Sequence, residues 1–157
     1  SEAITLTGID DALIAQGGQA HVLVVDDSRI ARKQVLNCLG SVGIEATSCQ
    51  NGKEALEFLK RLADEGQEPA RKFLMVISDI EMPEMDGYTL ATEIRADARL
   101  KDLHVLLHTS LSGVFNKAMV EKVGADNFIA KFQPDELTQA VIDRLKAVHP
   151  AVHSTAA

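Results

Sequence analysis

The sequence predicts an α/β fold: a parallel sheet with helices on both faces, in three layers. Three observations carry this reading. From residue 21 onward, short β-branched runs alternate five times with amphipathic stretches of helical period, as successive βα units do. The central runs are nearly continuously apolar, which means burial on both faces of the sheet. Acidic residues close the first and third runs, at the edge where open parallel sheets collect ligands.

The predicted strands occupy residues 21–25, 44–49, 73–78, 104–108 and 127–130. The first helix sets Ala31, Val35, Cys38, Leu39 and Val42 on one stripe, with Ser28 as N-cap and a basic opposite face. The second repeats the stripe with Ala55, Leu59 and Leu62. Further helices are expected over 88–97, 113–123 and 134–148. Pro134 suits a first helical position, and Asp135 and Glu136 complement the positive end of the last helix. Residues 64–72 carry Gly66 and Pro69 and read as a polar loop. Residues 1–20, with Gly17-Gly18 before the first strand, read as a linker or the end of a preceding domain, compatible with a short helix over 10–15. Residues 149–157 read as a disordered tail, which leaves 21–148 as the single domain.

At 157 residues and 46% hydrophobic content, the chain can bury a core without disulfides or a structural metal. The net charge of −7 disfavours direct nucleic-acid binding and keeps divalent cations close. No apolar run approaches a membrane span and no secretory leader pattern is present, so a soluble cytoplasmic protein is expected. Cys38 and Cys49 read as reduced, semi-buried thiols. His149 and His153 have the spacing of a helical metal pair, but Pro150 breaks the helix that would align them. A chain starting at Ser1 without Met fits either a piece of a longer protein or N-terminal processing.

Asp26 and Asp27 end the first strand, and Asp79 ends the third. If these strands are neighbours, three carboxylates converge, and such crowding calls for a cation. Hard oxygens with room for water suit Mg²⁺. The fourth strand ends in His108-Thr109-Ser110 and Lys131 follows the fifth, which adds a hydroxyl and an ammonium, both ligands for phosphate. The inferred chemistry is in-line attack by the Asp79 carboxylate on a donor phosphoryl group, with Mg²⁺ and Lys131 neutralising charge, to give an acyl phosphate. Singly, each residue has a plain reading: strand-end Asp as helix cap, Lys131 as solvated charge, Thr109 as turn residue. Joint placement at the ends of four strands, in order, favours the chemical one.

Val22-Leu23-Val24-Val25-Asp26-Asp27-Ser28, Ser78-Asp79-Ile80-Glu81-Met82-Pro83-Glu84-Met85-Asp86-Gly87, Thr109 and Lys131 resemble the signatures of response-regulator receiver domains, over about residues 22–146. The stretches 108–116 and 130–137 resemble, more finely, the receiver half of CheV-type chemotaxis coupling proteins. The resemblance implies a flavodoxin-like, CheY-like fold with five strands in the order 2-1-3-4-5 and five helices. It implies that Asp79 is phosphorylated from a phosphohistidine on a sensor histidine kinase, CheA-like in the chemotaxis case. Asp27, Asp79 and the Glu81 backbone carbonyl would then ligate Mg²⁺, with Asp26 acting through water. Thr109 and Lys131 would hold the phosphoryl oxygens. Phe128 falls at the switch-aromatic position, so that movement of Thr109 toward the phosphate lets its ring turn inward; ordinary core is the other reading of Phe128. The expected readout face is the fourth helix, fifth strand and fifth helix.

Three positions depart from the family pattern. Phe132-Gln133 stands between Lys131 and Pro134 where the family has Pro directly after the Lys, and a cis bond there would cost about 3 kcal/mol without proline. Ser110 replaces a small Ala after the switch hydroxyl, and Glu81 puts a carboxylate two positions after the acceptor.

Within signalling, the chain reads as the receiver of a CheV-like adaptor that meets a chemoreceptor–kinase array through a CheW-like domain missing here. The alternatives are another response regulator's receiver or a phosphate sink. The competing class is an Mg²⁺-dependent phosphatase of haloacid-dehalogenase type, which would need a second acid two residues after a nucleophile on the first strand; here that strand ends Asp26-Asp27-Ser28. The expected chemistry is therefore self-catalysed transfer and autodephosphorylation, without substrate turnover. A dinucleotide-binding role fails for lack of a glycine-rich turn after the first strand.

Overall fold

The computed structural model describes residues 20–110 and 117–148. Residues 1–19 of the linker expected over 1–20, the tail at 149–157 with His149 and His153, and positions 111–116 lie outside them.

In chain order the elements are β1 (His21–Val25), α1 (Arg29–Ser41), β2 (Glu45–Cys49), α2 (Gly52–Asp64), α3 (Pro69–Lys72), β3 (Met75–Ser78), α4 (Gly87–Ala96), β4 (Val105–Thr109), α5 (Lys117–Lys122), β5 (Asn127–Ala130) and α6 (Pro134–Val148). The helix starts follow local chemistry. Ser28 Oγ accepts the Ala31 N–H at 3.2 Å, Asn51 Oδ1 the Glu54 N–H at 2.9 Å, and Asp86 Oδ1 the Thr89 N–H at 2.7 Å. Residues 64–72, expected as loop, contain the single turn α3. Pro69 supplies a helical φ at its first position, and the Phe73 N–H closes the turn on the Pro69 carbonyl at 2.9 Å.

All five strands run parallel in the order β2-β1-β3-β4-β5. The order matches the expectation and makes β1 and β3 neighbours, with Val25 opposite Ser78. Alternate strand residues feed two cores. On one face Leu23, Val25, Val76, Val105 and Leu107 meet Leu56, Leu59 and Leu62 of α2, Leu90 and Ile94 of α4, and Val120 of α5. On the other, Val22, Val24, Met75, Ile77 and Leu106 meet Val35 and Leu39 of α1 and Leu137, Val141 and Leu145 of α6. A fully buried Leu or Phe contributes about 1.5–3 kcal/mol of transfer free energy, so the two layers hold the strand ends in fixed relative positions. β2 and β5 are the edge strands and carry the exposed strand positions, and the sequence of β2, Glu-Ala-Thr-Ser-Cys, is the least apolar of the five.

Candidate functional site

The residue that follows β1 and the one that follows β3 are both acids, and the pairing of those strands brings them together. The Asp79 N–H donates to the Val25 carbonyl at 2.7 Å, continuing the ladder one step beyond the strands. Carboxylate oxygens of Asp26, Asp27 and Asp79 all lie within 4.8 Å of one another. Asp26 and Asp79 are buried, whereas Asp27 is exposed and lines an open cleft of about 430 Å³ with Ile80, Glu81, Met82, Pro83 and Asp86.

Lys131 reaches this cluster from the end of β5, with its own N–H donating to the Thr109 carbonyl at 2.7 Å. Its ammonium lies 2.7 Å from Asp26 Oδ2 and 3.3 Å from Asp79 Oδ1, and its side chain is only 7% exposed. A solvated lysine is thereby excluded. Asp26 is fully engaged: Oδ1 accepts the Ser28 N–H at 2.8 Å and Oδ2 faces Lys131. Asp79 is asymmetric. Its Oδ1 accepts the Ile80 N–H at 2.8 Å and meets Lys131, while among the described residues nothing donates to Oδ2.

Burial pushes the Asp79 carboxyl up to about 6, and the neighbouring Asp26 charge adds to the rise; Lys131 and the Ile80 N–H pull the other way. Two carboxylates side by side with one ammonium between them carry net negative charge, with an exposed third at the rim. Such an oxygen-only donor set, open on one side to water, fits a hard divalent cation such as Mg²⁺.

Thr109 closes β4 and is buried at 2% exposure. Phe128 on β5 is half-buried and packs against the core that holds Leu107. Glu81 sits on the cleft wall with an exposed side chain. Ser110 is exposed. The predicted site residues Asp26, Asp27, Asp79, Thr109 and Lys131 thus gather at the carboxyl edge of the sheet, with Glu81 beside them and Phe128 two strand positions before Ala130, the partner of Thr109.

Sequence reasoning overlooked three contributors. Arg32, read as part of a basic solvated face, donates from Nη1 to the Asp26 carbonyl at 2.7 Å. Ser78, read as strand, donates its hydroxyl to the Asp79 carbonyl at 2.8 Å. His108 is buried, and the register that sets Ser78 opposite Leu107 puts its position next to Asp79 in the following row. The polar character of Ser78 and His108 inside apolar runs was the available signal.

Residues 22–142 match the family described as the response regulator receiver domain. The chain is 31% identical over 124 residues to chemotaxis protein CheV3 of Helicobacter pylori, covering 78% of this chain and 40% of that protein's length. It is 36% identical over 129 residues to the two-component response regulator ORR5 of rice (Oryza sativa), covering 80% and 89%. Among solved structures, chemotaxis protein CheY4 of Vibrio cholerae superposes with a TM-score of 0.66 at 29% identity, covering 81% of this chain and 98% of that one. The receiver domain of a signal transduction histidine kinase from Syntrophus aciditrophicus gives 0.69 at 30% identity, covering 82% and 92%. A parallel sheet in the order 2-1-3-4-5, an acid cluster bridged by a buried lysine, and a family match over most of the sequence agree: this chain belongs to the response-regulator receiver domains of two-component signalling.

Proposed function

We propose that Asp79 is the phosphoacceptor and that the domain is the switching half of a CheV-like coupling adaptor. The observation that carries the first part is the asymmetry of the Asp79 carboxylate. One oxygen is fixed by the Ile80 N–H and the Lys131 ammonium, and the other has no donor among the described residues. With its acid constant near 6, Asp79 is mostly ionised at pH 7 and is competent as a nucleophile. Attack by the free oxygen on a phosphohistidine phosphorus forms the acyl phosphate and expels the donor imidazole. Lys131, already between Asp26 and Asp79, turns to the arriving phosphoryl oxygens, and the Thr109 hydroxyl takes another.

Asp27, Asp79 and the Glu81 carbonyl would hold Mg²⁺, with Asp26 acting through water because both its oxygens are engaged. The ion supplies neutralising charge to the transferring oxygens. Movement of Thr109 toward the phosphate frees space for the Phe128 ring and alters the face formed by α5, β5 and α6. The reaction is stoichiometric, ending in autodephosphorylation, so the domain is not a turnover enzyme.

Similarity to CheV3 supports the adaptor reading, and the chain spans 40% of that protein. A CheA-like kinase would be the donor, and a CheW-like domain outside these residues would reach the receptor–kinase array. Comparable similarity to ORR5 makes a different response regulator the second reading. A donor kinase that draws on ATP supports a cytoplasmic location, and among the described residues no helix is long and apolar enough to cross a membrane.

Intact-protein mass after incubation with acetyl phosphate and Mg²⁺ tests the site. Wild type gains one labile phosphoryl group and Asp79→Asn gains none. A wild type that stays unmodified, or a variant labelled equally, overturns the assignment.

A further inference from the structure

Gly87 opens α4 immediately beneath the acceptor. A Cβ added there falls well inside contact distance of the Asp79 carbonyl oxygen, and 3.0 Å from both the Asp79 carbonyl carbon and Ile80 Cα. All three are main-chain atoms, which cannot swing aside as a side-chain tip can. The same glycine donates its N–H to the Ile80 carbonyl at 2.8 Å. Its φ is not in the left-handed region, so conformational freedom does not explain a glycine here. Close approach does.

The main chain pressed against Gly87 is fixed from every other side. The Asp79 N–H is bound to Val25, the Asp79 carbonyl accepts the Ser78 hydroxyl at 2.8 Å, and the Ile80 N–H holds Asp79 Oδ1. With sheet, serine and helix start enclosing it, this peptide has one place to sit, and the carboxylate it carries has one direction to point. We infer that Gly87 is a positioning residue for the Asp79 carboxylate: its bare α-carbon lets the first turn of α4 close onto the acceptor's own peptide, and Ser78 anchors the same carbonyl from the strand. The inference rests on the reading of Asp79 as phosphoacceptor.

A methyl group at Gly87 has to move the Asp79–Ile80 peptide by about an ångström to reach ordinary contact, and displacements of that size at a reacting group cost on the order of a hundredfold in rate. The test compares Gly87→Ala, Ser78→Ala and Gly52→Ala. Gly52 is a control for crowding of a backbone: its Cβ would lie 2.6 Å from the Met85 carbonyl oxygen and meets Met85 rather than the Asp79–Ile80 peptide. Rates of adduct formation from acetyl phosphate are followed against Mg²⁺ concentration, so that the limiting rate separates from the Mg²⁺ half-saturation. The ¹⁵N–¹H resonance of the Ile80 amide reports its bond to Asp79 Oδ1.

Gly87→Ala is expected to lower the limiting rate about a hundredfold and to shift the Ile80 amide. Ser78→Ala, which removes one hydrogen bond and adds no bulk, lowers the rate roughly fivefold. Gly52→Ala loses stability but stays within about twofold of the wild-type rate. If Gly87→Ala does not fold, the serine variant decides: an unchanged rate and an unshifted Ile80 amide overturn the proposal. So does a folded Gly87→Ala with wild-type rate and amide shift, or a rate loss in Gly52→Ala equal to that in Gly87→Ala. A wild type that takes no label defeats the phosphoacceptor reading instead, and the Ile80 amide then still decides whether Gly87 sets the carboxylate.

Discussion

Asp79 and His108 are buried in adjoining positions, and burial moves their titrations in opposite directions. His108 is held down at about 4, first by burial and then by the Lys131 charge. The unfolded chain takes up that proton near pH 6.5, so the stability His108 contributes is full above pH 6.5 and is lost as pH falls toward 4, by about 3 kcal/mol. Asp79, raised to about 6, acts the other way: the folded state takes its proton first, and stability is gained as pH falls from 6 toward 3.8. In wild type the two offset each other. Asp79→Asn removes the second effect, so this variant loses stability between pH 6.5 and 4. In urea unfolding, Asp79→Asn/His108→Leu is expected to lose about 3 kcal/mol less over that window than Asp79→Asn alone. Equal losses would mean that the His108 ring is protonated in the fold. The position of His108 was visible in the sequence; its nearness to the Lys131 and Asp26 charges was not, because it depends on the register of strands far apart in the chain.

In the passage from β5 to α6, Phe132-Gln133 stands where the family pattern has proline directly after the lysine. The chain turns there with Phe132 at φ 64, and every described peptide bond is trans. A left-handed non-glycine residue costs about 1–2 kcal/mol, less than the roughly 3 kcal/mol of a cis bond without proline. The Phe132 ring is 63% exposed and so recovers little by burial. Phe132→Gly is therefore expected to raise stability by about 1 kcal/mol in urea unfolding, with Lys131 still placed between Asp26 and Asp79. A loss of stability would show that contacts of the exposed ring outweigh the strain. The short α3 is the other element that local pattern missed: four residues give no period to read, and a buried Phe73 at its end holds the turn in place.

At the scale of the whole molecule, the site is an acidic cluster held together by folding, so a cation that binds it must stabilise the fold. At a hundred times its dissociation constant, Mg²⁺ is expected to add about 2.7 kcal/mol, read as an upward shift in thermal midpoint that Asp27→Asn/Asp79→Asn abolishes. An equal shift in the double variant would mean that the ion acts elsewhere on a surface of net charge −7. The sequence by itself determined the alternation of five strands with helices, the N-cap at Ser28, Pro134 at the start of α6, and the acids and lysine that end strands β1, β3 and β5. These are local signals: period, capping chemistry and strand-end position each depend on a few neighbouring residues. Tertiary structure alone decided the partnership of Lys131 with both Asp26 and Asp79, the turning of Arg32 and Ser78 toward the acids' backbone, and the contact that leaves room only for glycine at 87. Those depend on distances between elements far apart in the chain, which packing of two cores against one sheet sets and no local pattern encodes.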